Sequence, residues 1–142
     1  GEYSKSGEFV YDHPFQFGSK RTGPDLHRVG KKYPDMWHYK HMLEPATVTP
    51  GSIMPPYPWM FKYEDDSSGT AAKLKALRAT GVPYTDAQIT NAASDLQAQA
   101  KTIAQGLVSQ GADASTGLEK KEIVAMIAYL QRLGTDIKAV TK

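Results

Sequence analysis

The sequence predicts an all-α domain, and three observations predict it. Two Thr-led capping boxes, Thr85-Asp86-Ala87-Gln88 and Thr116-Gly117-Leu118-Glu119, each precede a run of apolar residues at helical spacing. A third helical run follows Pro34. Where strands would otherwise be sought, Pro45, Pro50, Pro55, Pro56 and Pro58 forbid a sheet interior, because proline lacks the N–H that a ladder needs.

Residues 1–34 carry a Gly or Pro every few positions and read as irregular; alternation in Glu8-Phe9-Val10-Tyr11 supports one short strand. After Pro34, Asp35 is placed to cap a helix whose Met36, His38, Tyr39, Met42 and Leu43 recur at helical spacing until Pro45 stops it. The stretch from Pro45 to Pro58 reads as a stiff, extended loop. Glu64 to Gly69 is polar and reads as a solvated loop. A short helix over about 70–80 has Leu74 and Leu77 on one face and ends at Gly81 and Pro83. The helix opened by the Thr85 box runs to about Gln110. Its seam of Ile89, Ala92, Ala93, Leu96, Ala100, Ile103 and Leu107 is narrow and alanine-rich, so it packs closely on a neighbour but buries little area. The Thr116 box opens a last helix over about 117–133, broadly apolar through Ile123, Val124, Met126, Ile127, Leu130 and Leu133, with Gly134 as its stop.

Composition splits the chain but not into two domains. Residues 1–66 hold 12 of the 14 aromatic residues and all four histidines, whereas 15 of the 16 alanines follow Ser67. Sixty-six loop-rich residues make a marginal core by themselves, so both regions are taken as one unit of 142 residues. Its parts are a loop-rich region at 1–66, a helical segment at 67–112, and a final helix and tail at 113–142.

Several function classes are excluded. Seventeen basic against 15 acidic residues leave a net charge of +2, too balanced for a nucleic-acid binder working by phosphate neutralisation. No run of about 18 apolar residues is present, so nothing in the sequence spans a membrane as a helix. With no Cys, these residues supply no disulfide, zinc–thiolate site, iron–sulfur site or covalent haem attachment. Neither a Gly-rich phosphate loop nor a G-x-S-x-G elbow occurs. His38 and His41 stand at i and i+3 and can share a metal, or be core-edge or surface residues beside Trp37 and Tyr39. Glu64, Asp65 and Asp66 suit a solvated loop better than an acid–base pair.

Three separated pieces carry the strongest signal: Thr22-Gly23-Pro24-Asp25-Leu26, then Met54 within Ser52-Ile53-Met54-Pro55-Pro56-Tyr57-Pro58-Trp59, then the helix end from Ile127 to Thr135. In this order the sequence resembles class I cytochromes c. It is most similar to the mono-haem membrane-bound subunit (subunit II) of cbb-type cytochrome c oxidase. The resemblance runs over nearly the whole chain, through GEY and GEFVYDHPF, GSKRTGPDLHRVG, MPPYPW, ALRATGVPYTDAQI and YLQRLGT.

The resemblance implies a class I cytochrome c-like domain with long Pro- and aromatic-rich loops and an inserted helical segment at about 67–112. It implies Met54 as the distal iron ligand. A neutral thioether raises the haem potential, and a ligand on a loop stiffened by Pro55, Pro56 and Pro58 stays on its iron. Met60 is the competing thioether, beyond the prolines; without the family pattern Met54 would read as an ordinary loop side chain. By the same resemblance the Pro24 carbonyl accepts from the proximal histidine's other ring N–H, and Leu26 packs on the porphyrin. Arg21, Tyr57 and Trp59 are then pocket residues suited to haem propionates, though each equally suits a loop-rich core.

One departure is large. The family's C-x-x-C-H, with its two thioether anchors and proximal histidine, is absent, as are the helix that bears it and the membrane anchor before it. The expectation is a chain cut just after that motif, itself free of haem c, whose parent carries one. The apolar face of the last helix (Ile123, Ile127, Leu130) and the Met54 loop would then lack partners, and a dimer or helix exchange would cover them.

For the parent, the resemblance implies one-electron transfer from a partner cytochrome towards the haem–copper oxygen-reducing subunit. It would work beside a di-haem cytochrome c subunit on the periplasmic face of the bacterial inner membrane, without bond chemistry of its own. The alternatives are a haem-free interaction or scaffold domain of a respiratory complex, and a metal protein using His38 and His41.

Overall fold

The computed structural model describes Tyr11, Leu26, and residues 28–114 and 117–135. Five α-helices lie among them: α1 (Asp35–Leu43), α2 (Pro45–Val48), α3 (Thr70–Ala79), α4 (Asp86–Ser109) and α5 (Glu122–Arg132). Short 3₁₀ turns occupy Pro58–Phe61 and Leu118–Lys120. Apart from Tyr11, the strand expected at Glu8–Tyr11 falls outside the described residues.

Helix α1 starts where Pro34 sets the chain extended, with φ −69° and ψ 159°. Asp35 was expected to cap it and does not: Pro34 holds the cap position and no side chain caps this end. Asp35 is instead the first helical residue, where its charge suits the positive end of the helix dipole. Its carboxylate accepts from Gln131 Nε2 at 2.7 Å, which ties α1 to α5. Gln131 Nε2 also donates to the Tyr33 carbonyl at 2.8 Å, and Gln131 Oε1 accepts from the Lys31 N–H at 2.8 Å. One amide side chain thus clasps residues 31–35 to the end of α5.

The proline-rich stretch is less extended than expected. Pro45 opens the single turn α2, and Pro58 opens a 3₁₀ turn. Proline is well suited to a first helical position, where its missing N–H would have had no intrahelical partner. Only residues 49–57 remain outside any helix.

The Thr85 capping box forms as its spacing predicts. The Gln88 N–H donates to Thr85 Oγ1 at 3.2 Å, and the Thr85 N–H donates to Gln88 Oε1 at 2.9 Å. Arg78 and Asp86 pair at 2.6 Å across the connection, so α3 folds back on α4. With 24 residues α4 is about 36 Å long, so the 10-residue α3 can flank less than half of it. No residue of α3 is buried, whereas Ala104 and Leu107, near the far end of α4, belong to the core.

The last helix begins later than its sequence suggests. Thr116 lies outside the described residues, Gly117 is left-handed at φ 87°, and Leu118–Lys120 form a 3₁₀ turn. Lys121 is extended, and α5 starts at Glu122. Pairing with residues 63–65 causes the break: the Asp65 N–H donates to the Lys120 carbonyl at 2.8 Å and the Glu122 N–H to the Tyr63 carbonyl at 3.2 Å. Backbone groups committed to that bridge cannot also serve a helical turn. At its other end α5 stops as expected, with Gly134 at φ 74°.

The core joins Met36 of α1, Ala104 and Leu107 of α4, and Ile123, Val124 and Ile127 of α5, closed by Leu118. Tyr39, Met42, Met60, Phe61, Ala100 and Ile103 pack around it. Ile123 and Ile127 are wholly buried and Leu130 nearly so. The expectation that this face of α5 lacks cover is therefore wrong. Helices α1 and α4 fill it within one chain, which removes one of the two grounds, the other being the Met54 loop, on which a dimer or helix exchange was expected.

Gly30 lies against the end of α5, its N–H donating to the Leu133 carbonyl at 3.0 Å. A Cβ at this position would collide with the carbonyl oxygens of Leu133 and Gln131, whereas one on Gly106 of α4 meets nothing. Gly30→Ala is expected to destabilise the fold by about 1–3 kcal/mol. Gly106→Ala is expected to stabilise it by about 0.5–1 kcal/mol. Urea unfolding midpoints of the two variants check the pair.

Candidate functional site

The loop between α2 and the 3₁₀ turn at Pro58 carries the candidate ligand. Gly51, at φ 80°, lets the chain turn, and the Ser52 N–H donates to the Thr49 carbonyl at 3.0 Å. The Met54 N–H donates to Ser52 Oγ at 3.2 Å. Pro55 and Pro56 follow, and the Tyr57 N–H then donates to the carbonyl of Met42, in the last turn of α1, at 2.9 Å. Met54 is thus held between a side-chain-bonded turn and two residues of fixed φ, on a loop anchored to α1.

The two competing methionines differ in situation. Met60 packs against the hydrophobic core, so its thioether is spent on filling. Met54 is half-buried and outside that cluster, beside an Ile53 that is 99% exposed.

The other sequence-derived pocket residues are placed unevenly. Tyr57 is half-buried and Trp59 is 43% exposed, with their rings edge to face at 5.0 Å. Leu26 is 52% exposed, and its carbonyl accepts from the Val29 N–H in the turn leading to Gly30. Arg21 and Pro24 lie outside the described residues.

A feature of α1 was only half visible in the sequence. Tyr33, Trp37 and His41 recur every four residues, and their rings stack in a ladder. Tyr33 lies 4.1 Å from Trp37 at 14°, and Trp37 lies 4.5 Å from His41 at 13°. His38 is only 2% exposed and meets Trp37 edge-on at 5.3 Å. Of the two settings foreseen for this residue, at the edge of the core or at the surface, the surface is excluded. Nε2 of His38 and Nδ1 of His41 are enclosed and meet no hydrogen-bond partner. Leaving such an atom unsatisfied costs about 1–3 kcal/mol. The signal for the ladder was the four-residue spacing; nothing in the sequence marked the unsatisfied nitrogens.

Desolvation lowers the pKa of His38; the neighbouring His41 lowers it further, and the Asp35 carboxylate opposes both. Desolvation also lowers that of His41. Both shifts favour the neutral ring, the form that binds metals or donates a single N–H. No group of three or more His, Cys, Asp and Glu is arranged to hold a metal ion among the described residues, so the pair finds no third ligand there.

The donors present fit one side of a haem. A thioether on a rigid loop outside the core suits an axial position on iron, and enclosed polar nitrogens suit a ligand with polar groups of its own. No cysteine is available for covalent attachment. Among the described residues no helix is long and apolar enough to cross a membrane.

The helical domain is consistent with an all-α cytochrome c-like fold. The family model described as "Cytochrome C oxidase, mono-heme subunit/FixO" matches residues 1–137, and the chain belongs to that family. No curated protein matches it. Membership agrees with the resemblance read from the Met54 loop and its companion motifs, and it places the chain in a haem c-binding family of respiratory electron transport.

A histidine whose folded pKa lies below its unfolded value takes up more protons when unfolded. Stability contributed by its neutral form is complete above the unfolded pKa of 6.5 and is lost as pH falls below it. Unfolding free energy measured from pH 8 downward is expected to decline below about 6.5, and the double variant His38→Gln/His41→Asn is expected to flatten that decline.

Proposed function

We propose that the chain forms the distal side of a haem c pocket, with Met54 as the iron's thioether ligand. The reading rests on the contrast between the two methionines: Met60 is packed on the core, while Met54 is held outside it by prolines and by the hydrogen bond from Tyr57 to Met42. In this reading a C-x-x-C-H outside these residues supplies two thioether anchors and the proximal histidine, since the 142 residues contain no cysteine to attach a haem. The Pro24 carbonyl would orient that histidine through its second ring N–H, and Leu26 would cover the porphyrin. Arg21, Tyr57 and Trp59 would serve its propionates.

The haem supplies one-electron chemistry, and the protein sets its potential, its burial and its docking. Electrons arrive from a partner cytochrome, with the di-haem subunit as neighbour, and pass to the haem–copper subunit where oxygen is reduced. The chain performs no catalysis by itself. Its place is the periplasmic face of the bacterial inner membrane.

The test is to produce the chain behind its native upstream segment together with haem-attachment machinery. A c-type spectrum is expected. Met54→Ala is expected to change the axial-ligand bands and lower the reduction potential, because loss of a thioether removes a ligand that raises it; Met60→Ala should leave the bands in place. A spectrum untouched by Met54→Ala overturns the ligand assignment. Protein that loads no haem would instead speak for a haem-free scaffold.

A further inference from the structure

His38 and His41 leave α1 on neighbouring stripes, and the Met54 loop returns to the same end of that helix through the hydrogen bond from Tyr57 to the Met42 carbonyl. Neither ring is free to search for a partner. His41 is stacked under Trp37, and His38 is enclosed with Trp37 and Tyr33 edge-on to it. Yet each keeps one enclosed nitrogen without a hydrogen bond. Native interiors seldom keep such atoms. Two on one short helix mark a site whose other half arrives with a ligand.

The chemistry of that ligand can be narrowed. A neutral imidazole has one N–H and one bare nitrogen; with the proton on the enclosed nitrogen of each ring, the pair calls for acceptors. A metal ion would need further ligands, and the described residues hold no group of three to bind one. A haem brings two carboxylates, and Met54 on its iron brings a thioether sulfur, a weaker acceptor.

We propose that His38 and His41 form a polar wall of the haem pocket, His38 Nε2–H and His41 Nδ1–H donating hydrogen bonds to an acceptor that enters with the haem, either a propionate carboxylate or the iron-bound sulfur of Met54. The proposal rests on the haem-pocket reading above. Both acceptors act in the same direction. An N–H on a carboxylate moderates negative charge near the iron, and an N–H on sulfur draws electron density from the ligand. Either favours the ferrous ion.

The test uses the haem-loaded subunit, attached through its own upstream motif. His38→Gln keeps an N–H donor near the position of Nε2 and His38→Leu removes it; His41→Asn and His41→Leu do the same for Nδ1. Each Leu variant is expected to shift the ferric–ferrous equilibrium about tenfold towards ferric, while the Gln and Asn variants stay within about twofold of the parent. A moved propionate bending mode in the resonance Raman spectrum identifies the carboxylate as acceptor. A moved sulfur-to-iron charge-transfer band identifies Met54.

Leucine variants that match the parent in potential and in both spectra overturn the proposal while leaving the haem reading intact. A parent subunit that loads no haem sinks both. Should a Leu variant fail to fold, nitrogen-15 spectra of the loaded parent decide: ring N–H protons that exchange slowly at both positions support the wall, and fast exchange at both overturns it.

Discussion

The apolar stripe of α5 has to be taken out of water, and α1 and α4 are the surfaces that do it. Ile123, Val124, Ile127 and Leu130 are all buried, each contributing about 1.5–3 kcal/mol on leaving solvent. The small residues of α4, among them Ala100 and Ala104, let the helices approach closely. Met36 of α1 completes the contact. Polar groups then seal one edge, with Gln131 bridging Lys31, Tyr33 and Asp35, and Gly30 donating to Leu133.

With α1 fixed against α5, everything hung on α1 is fixed as well. Pro45 is fully buried directly after it, and α2 packs back on it. The Met54 loop leaves from α2 and is recovered by the Met42 carbonyl. The aromatic ladder runs from Tyr33, just before α1, onto the same helix. A redox centre benefits from such an arrangement, because the protein's part is to hold ligand and surrounding dipoles in one geometry while the electron passes. The prolines restrict the loop from within, and the helix restricts it from its ends.

How much was legible in the sequence depended on the range of the interaction. Thr85 and Gln88 are three residues apart, so their capping box could be read directly. The stops at Pro45, Pro83 and Gly134 are likewise local. Asp35 was legible only as a residue near a helix start, because its partner Gln131 lies 96 positions away. The late start of α5 at Glu122 was hidden for the same reason: residues 120–122 are drawn into pairing with residues 63–65. Burial of the α5 face was misjudged because the coverage supplied by α1 and α4 cannot be inferred from α5 alone.

By itself the sequence determined the helical class, most helix ends, and a thioether fenced by prolines within motifs of a haem-bearing subunit. These follow from covalent geometry and from contacts within a turn or two. The tertiary structure decided which methionine stands outside the core, that His38 is buried, and that two imidazole nitrogens are enclosed without partners. Those properties come from the meeting of segments far apart in the chain, and no local pattern of residues encodes them.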